Sequence, residues 1–356
     1  MTAHALAGRS RVEWLPSVPM ISAKLLELRR RRVLITVIVL FTIGLPLIIF
    51  GFRLAFHLAD PKTYGPAGSP ALFPSVSDLM NEFGFIVAVA LGATAGTTDL
   101  TDGMFRHLVI TGRSRLALYL CRIPAGLAII LPLAGLGFAV VCLVTSFLGV
   151  PSSGVLHVNG AVIPAYLDQA QLHSWLLSHQ HQAQILLFGG GPNSPAATAS
   201  VISHQLGSVY GNYTVAEAAQ VNPSVTGMIE AGLWIELDLL IGFTVGLGLG
   251  SLMGQRTVPI ILLIFLQVFI APAFATHVLP YFINGERLLV GVAMDQLQPA
   301  TLTGGATFRP GAGGGGGPHP ALTIPPMPTW AMWTVIVGWV IGWSAIGAWR
   351  MATRDA

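Results

Sequence analysis

The fold class predicted by the sequence is an all-α membrane protein. It has six transmembrane helices with an N-terminal interfacial helix, a cytoplasmic coupling helix and two long external loops. Three observations carry that reading. Of the 356 residues, 53% are hydrophobic and only 9% charged, with a mean hydropathy of +0.70, whereas soluble domains carry about 25% charged residues. Six apolar runs approach or exceed the about 20 residues needed to cross a bilayer. The basic residues are distributed asymmetrically between the connections, as in spans that obey the positive-inside rule.

Residues 1–32 form the N-terminal region, where SVPMISAKLLELRRRR (17–32) sets Ile21, Leu25 and Leu28 beside a run of four arginines. Such a helix lies in the interface plane with its arginines at lipid headgroups; the alternative is a purely topogenic charge cluster. The spans fall near 33–52, 80–98 and 123–149 within the segment 33–149, near 233–254 and 258–279 within 233–279, and near 329–349 within the closing segment 329–356. The first is too long for a signal-peptide core and is read as a retained span. With the N-terminus inside, 14 of the 18 Lys and Arg fall on the cytoplasmic side, and no basic residue occurs between Arg122 and Arg256. Both termini are then cytoplasmic, in a cell membrane.

The external region 150–232 is expected to hold an amphipathic, non-spanning helix over 160–188 and a short helix near 214–221. Its histidines lack the Cys or Asp spacing of a metal site, so they are read as surface residues and no metal is assigned. The external loop 280–328 opens on YFINGERLLVGVAMDQLQ, a segment able to pack back on the membrane, and ends in the Gly-rich tether GAGGGGGPHP. Cys121 and Cys142, 21 residues apart along one expected helix, are too distant to pair within it. The net charge of +3 lies beside apolar runs, which argues against a nucleic-acid partner.

Two spans carry small residues at every fourth position: Gly84, Ala88, Gly92 and Gly96, and Gly242, Gly246, Gly250 and Gly254. That spacing puts each set on one helix face and predicts close backbone packing. Glu82 opens the second span, and Glu236 and Asp238 open the fourth. With Gln267 inside the fifth, they are the candidates for a substrate path, because charge in a bilayer is costly and usually functional. The competing account of the acids is that they offset the dipole at a helix N-terminus.

The most polar stretch beside the spans is TTDLTDGMFRHLVITGRSRLALYLCR (97–122), which carries two Asp and four Arg. Asp99 or Thr101 can cap a short helix near 100–111, which Gly112 can end. Ser114 can then cap the next helix. Met104, Phe105 and Leu108 supply an apolar knob, while Asp102 and Arg106 supply charge four residues apart. No G-x-x-x-x-G-K-[ST] occurs, and Lys24 and Lys62 are the only lysines. Any ATP hydrolysis must therefore come from another polypeptide. Hydrolase and metalloprotease motifs are likewise missing.

On these features the chain resembles the membrane subunit of ABC-2-type transporters, mostly bacterial exporters. The family's acidic residue and Gly before a short cytoplasmic helix fall on Asp99 or Asp102 with Gly103, and its Pro/Gly-Ser-Arg turn into the third span on Gly112, Ser114 and Arg115. Asp replaces the usual Glu, and the 150–232 loop is longer than the family's. The resemblance implies coupling through Asp99, Asp102, Met104, Phe105, Arg106, Leu108, Arg113 and Arg115 to a separate ATP-binding subunit. ATP and Mg would be held on that partner, and this chain binds no cofactor. It also implies pairing with a second copy or a homologous permease subunit. The alternatives are an intramembrane enzyme using Glu236, Asp238 and histidines, or a non-transporting anchor or scaffold subunit.

Overall fold

The computed structural model describes residues 15–60, 67–68, 72–101, 114–148, 155–158, 161–164, 169–188, 196–206, 225–265, 287–303 and 327–353. Five of its helices are long and apolar enough to cross a membrane: Arg32–Ala59, Leu72–Asp99, Arg115–Leu148, Val225–Met253 and Thr329–Thr353. Of the expected fifth span, only α11 (Thr257–Phe265) falls within the described residues. Gln267 lies outside them.

Helix α1 (Val18–Arg29) begins on Pro19, which fits a first turn because an N–H there has no helical partner anyway. It turns its buried Lys24 and Leu28 toward the bundle. The first span is α2 (Arg32–Val39), a π turn over Leu40–Gly44 and α3 (Leu45–Ala59). Pro46 explains the π turn, since it has no N–H to donate to the carbonyl of Thr42 four residues back. Gly137 approaches that same carbonyl so closely that a Cβ there would overlap it.

The centre is made by α4 (Leu72–Thr101) and α10 (Val225–Met253). Their small-residue faces meet each other. A Cβ on Gly92 would run into the Phe243 carbonyl, one on Gly96 would lie 2.8 Å from Leu247 O, and one on Gly250 2.7 Å from Ala93 O. Gly246 sits equally tightly against Val89 O, and Gly84 and Gly242 face the Leu239 and Phe85 side chains. Gly254 departs from the expected stripe. It follows the last helical residue with φ 69° and donates its N–H to Gly250 O at 2.9 Å, which is a helix-ending conformation. Lipid offers apolar side chains no reason to leave it, so backbone approach of this kind holds spans together. Leu47, Phe52 and Ile341 accordingly stay exposed.

The third span is α5 (Arg115–Leu120), a turn at Cys121 and α6 (Arg122–Leu148). Ser114 caps it, its Oγ accepting from Ala117 N–H at 3.1 Å. The last span is α14 (Thr329–Thr353), which packs on α10 and α5. The helices at 72 and 225 start well before the expected 80 and 233. In α4, Asp78 and Asn81, which end the apolar window, are paired with Gln298 and Asp238 and do not stop the helix.

The 150–232 region is not all helical. Strands β1 (Val155–Val158) and β2 (Ala161–Pro164) form an antiparallel hairpin, with Val155 opposite Pro164 and Val158 opposite Ala161. The single helix expected over 160–188 is instead β2 followed by α7 (Gln169–Ser178) and α8 (Gln180–Phe188). Pro164 closes the strand. The break at His179 coincides with its ring stacking on Trp175 at 4.4 Å. With α9 (Ala199–Leu206), these elements bury Ile163, Leu176, Leu186 and Ile202 in a small core of their own. The helix expected near 214–221 and the Gly-rich tether lie outside the described residues. Within the second long loop, the described residues 287–303 pack on the bundle. Within α12 (Val290–Gln296) and α13 (Ala300–Thr303), Ala293 and Met294 pack with Ile241, Val245 and Ile336, and Trp234 Nε1 donates to Met294 O at 2.9 Å.

Candidate functional site: a buried ion cluster at one end of the bundle

Asp99 closes the apolar length of α4, and three threonines precede it. Their hydroxyls bond back within the helix: Thr94 to Ala90 O at 2.7 Å, Thr97 to Ala93 O at 2.9 Å, and Thr98 to Thr94 O at 2.6 Å. The polar end of α4 thus needs no water for these groups. Asp99 instead reaches outside its helix. Lys24 Nζ of α1 donates to its Oδ1 at 2.7 Å, and Arg122 Nη2 of α6 donates to its Oδ2 at 2.6 Å.

Two further contacts complete the cluster. Arg122 Nη1 donates to Gly96 O at 2.8 Å, and Lys24 Nζ also pairs with Glu27 Oε2 at 2.8 Å. Arg122 is fully buried and Lys24 and Asp99 nearly so. Lys24 and Arg122 carry two positive charges and Glu27 and Asp99 two negative ones, so the cluster is neutral. Neutrality and charge-assisted hydrogen bonds are what a buried ionic group requires to offset its desolvation. The arrangement ties α1, α4 and α6 together where the chain leaves α4 and where it enters α6.

Of the residues assigned to coupling, Asp99 is therefore held inside the chain. Arg115 donates from Nη1 to Ala352 O at 3.1 Å, near the end of α14, so it too is engaged within the bundle. Asp102, Met104, Phe105, Arg106, Leu108 and Arg113 lie outside the described residues, as does the helix expected near 100–111 beyond its first two positions, Leu100 and Thr101, which are the end of α4. Lys24 and Arg122 were read in the sequence only as charges that orient spans. The available signal was Lys24 itself, in register with the apolar Ile21, Leu25 and Leu28.

The opposite end of the bundle gathers a second polar group. Asn81 Nδ2 donates to Asp238 Oδ2 at 3.0 Å, joining α4 to α10, and Gln298 Nε2 reaches Asp78 Oδ1 at 3.3 Å. Glu82 lies about three turns inside α4, and Asp238 more than three inside α10. Neither opens its helix, and the dipole account, which fades within the first turn, does not apply to them. Glu236 points elsewhere, toward α6, where a Cβ on Gly135 would lie 3.0 Å from its Oε1. Asp238 therefore faces α4 through Asn81, beside Glu82 in the sequence, and Glu236 faces α6 instead. Among the described residues, no three His, Cys, Asp or Glu side chains are grouped to hold a metal ion.

The long apolar helices and their interlocked glycine faces define a helical membrane protein with several candidate spans. No protein-family model, curated protein or solved structure matches the chain.

Proposed function

We propose that this chain is the transmembrane subunit of an ATP-driven transporter of the ABC-2 kind, working as an exporter in a cell membrane with a separate ATP-binding subunit docked on residues 102–113. One observation carries the reading. The root on the α4 side, Asp99, is fixed in a neutral cluster with Arg122 at the start of α6, one short helix (α5) beyond the segment's other end, and α1 is clamped on through Lys24. A force applied to the segment is delivered to packed helices instead of being lost in a loose loop. From α4 it passes to α10 through backbones in direct contact, since Gly92 and Gly96 leave no side chain between them. The arginine distribution supports a cytoplasmic position for this end. The Asp238 end, with Asn81 and Glu82, is then the outer end of the path.

The test is the apolar knob. Phe105→Ala removes no charge, so insertion and orientation should be unchanged. Binding of the ATP-hydrolysing partner should weaken by about tenfold or more, as for a buried aromatic anchor at an interface, and transport-coupled turnover should fall with it. Unchanged partner binding and turnover would mean that the coupling element lies elsewhere.

A further inference from the structure

Helix α1 has two sides of opposite chemistry. The inner side carries Lys24 and Leu28, buried against the bundle. The outer side exposes Val18, Leu26, Arg29 and Arg30, and continues through Arg32 and Val33 into the first span. Among the described residues, Arg29, Arg30 and Arg32 take part in no ion pair. That contrasts with Lys24 on the other side, whose charge is fully matched. The first span begins at Arg32, so the corner lies at the membrane boundary.

We propose that this outer face binds the headgroups of anionic phospholipids. The argument is charge complementarity at a fixed depth. Val18, Leu26 and Val33 are suited to the acyl boundary, while the arginines one turn away sit at the level of the phosphates. Guanidinium groups match phosphate oxygens in a planar, bidentate way. Because Lys24 and Leu28 pin α1 to the bundle, bound lipid would brace the helix that clamps Asp99. The proposal rests on the membrane boundary alone and does not depend on ATP-driven transport.

The experiment is native mass spectrometry of the full-length protein in detergent, titrated with phosphatidylglycerol or phosphatidylcholine. Wild type should retain phosphatidylglycerol preferentially, and about 0.5 M salt should shrink the preference by screening. A basic residue at a charged membrane surface contributes about fivefold, so R29Q/R30Q/R32Q should lower the preference by about tenfold or more. R29K/R30K/R32K should keep most of it. Equal retention of the two lipids by wild type would overturn the proposal, whether or not the variants fold. It would leave an acidic protein surface as the occupant. A glutamine variant with the wild-type preference would overturn it as well.

Discussion

Asp99→Ala should be the most damaging single substitution among the described charged residues. It removes the one carboxylate shared by Lys24 and Arg122, leaving Lys24 with Glu27 alone and Arg122, which has no exposed surface, with no carboxylate. Breaking a buried pair in this way commonly costs about 3–5 kcal/mol. The expected result is a large fall in the thermal unfolding midpoint of the detergent-purified protein, with α1 released first and open to proteolysis. K24M/D99L/R122M should recover much of the stability, because apolar groups of similar size need no partner. A wild-type midpoint for Asp99→Ala would mean that the cluster is hydrated and does not tie the three helices.

The second large effect is expected at the α4–α10 contact. A Cβ at Gly246 would overlap the Val89 carbonyl, and the backbone offers no rotamer that escapes it. Gly246→Leu should therefore destabilise by about 1–3 kcal/mol or more. Gly338 in α14 is the internal control, since a Cβ there meets nothing within 4 Å. Gly338→Leu should change stability by no more than about 0.5 kcal/mol, as at an open surface position. Paired unfolding midpoints and yields decide the matter. Equal behaviour of the two variants would show that the glycines of α10 do not set the helix separation.

The glycine spacing was legible because a period of four is a property of one helix. That the two stripes face each other was not, since nothing in either run names its partner. Span length was underestimated for a related reason. A hydropathy window ends at Ser77, Asp78 and Asn81, yet Asn81 finds Asp238 and Asp78 finds Gln298 from distant parts of the chain. The hairpin was hidden because AVIP shows only four residues of alternation, too few to stand out from an adjoining helical pattern. The ion cluster was missed because an arginine beside a span has an ordinary explanation in topology. Only the fold brings Lys24 within reach of Asp99, 75 positions away.

Under the proposed function, the polar segment after Asp99 docks an ATP-hydrolysing partner. The most direct measurement is to purify the full chain from its native membranes in mild detergent and assay the same sample for ATP turnover. A stoichiometric second polypeptide carrying a phosphate-binding G-x-x-x-x-G-K-[ST] loop should co-purify. Its turnover should change when Phe105→Ala is introduced into this chain. A preparation with no ATP-binding polypeptide, or one whose turnover ignores that substitution, would contradict the claim.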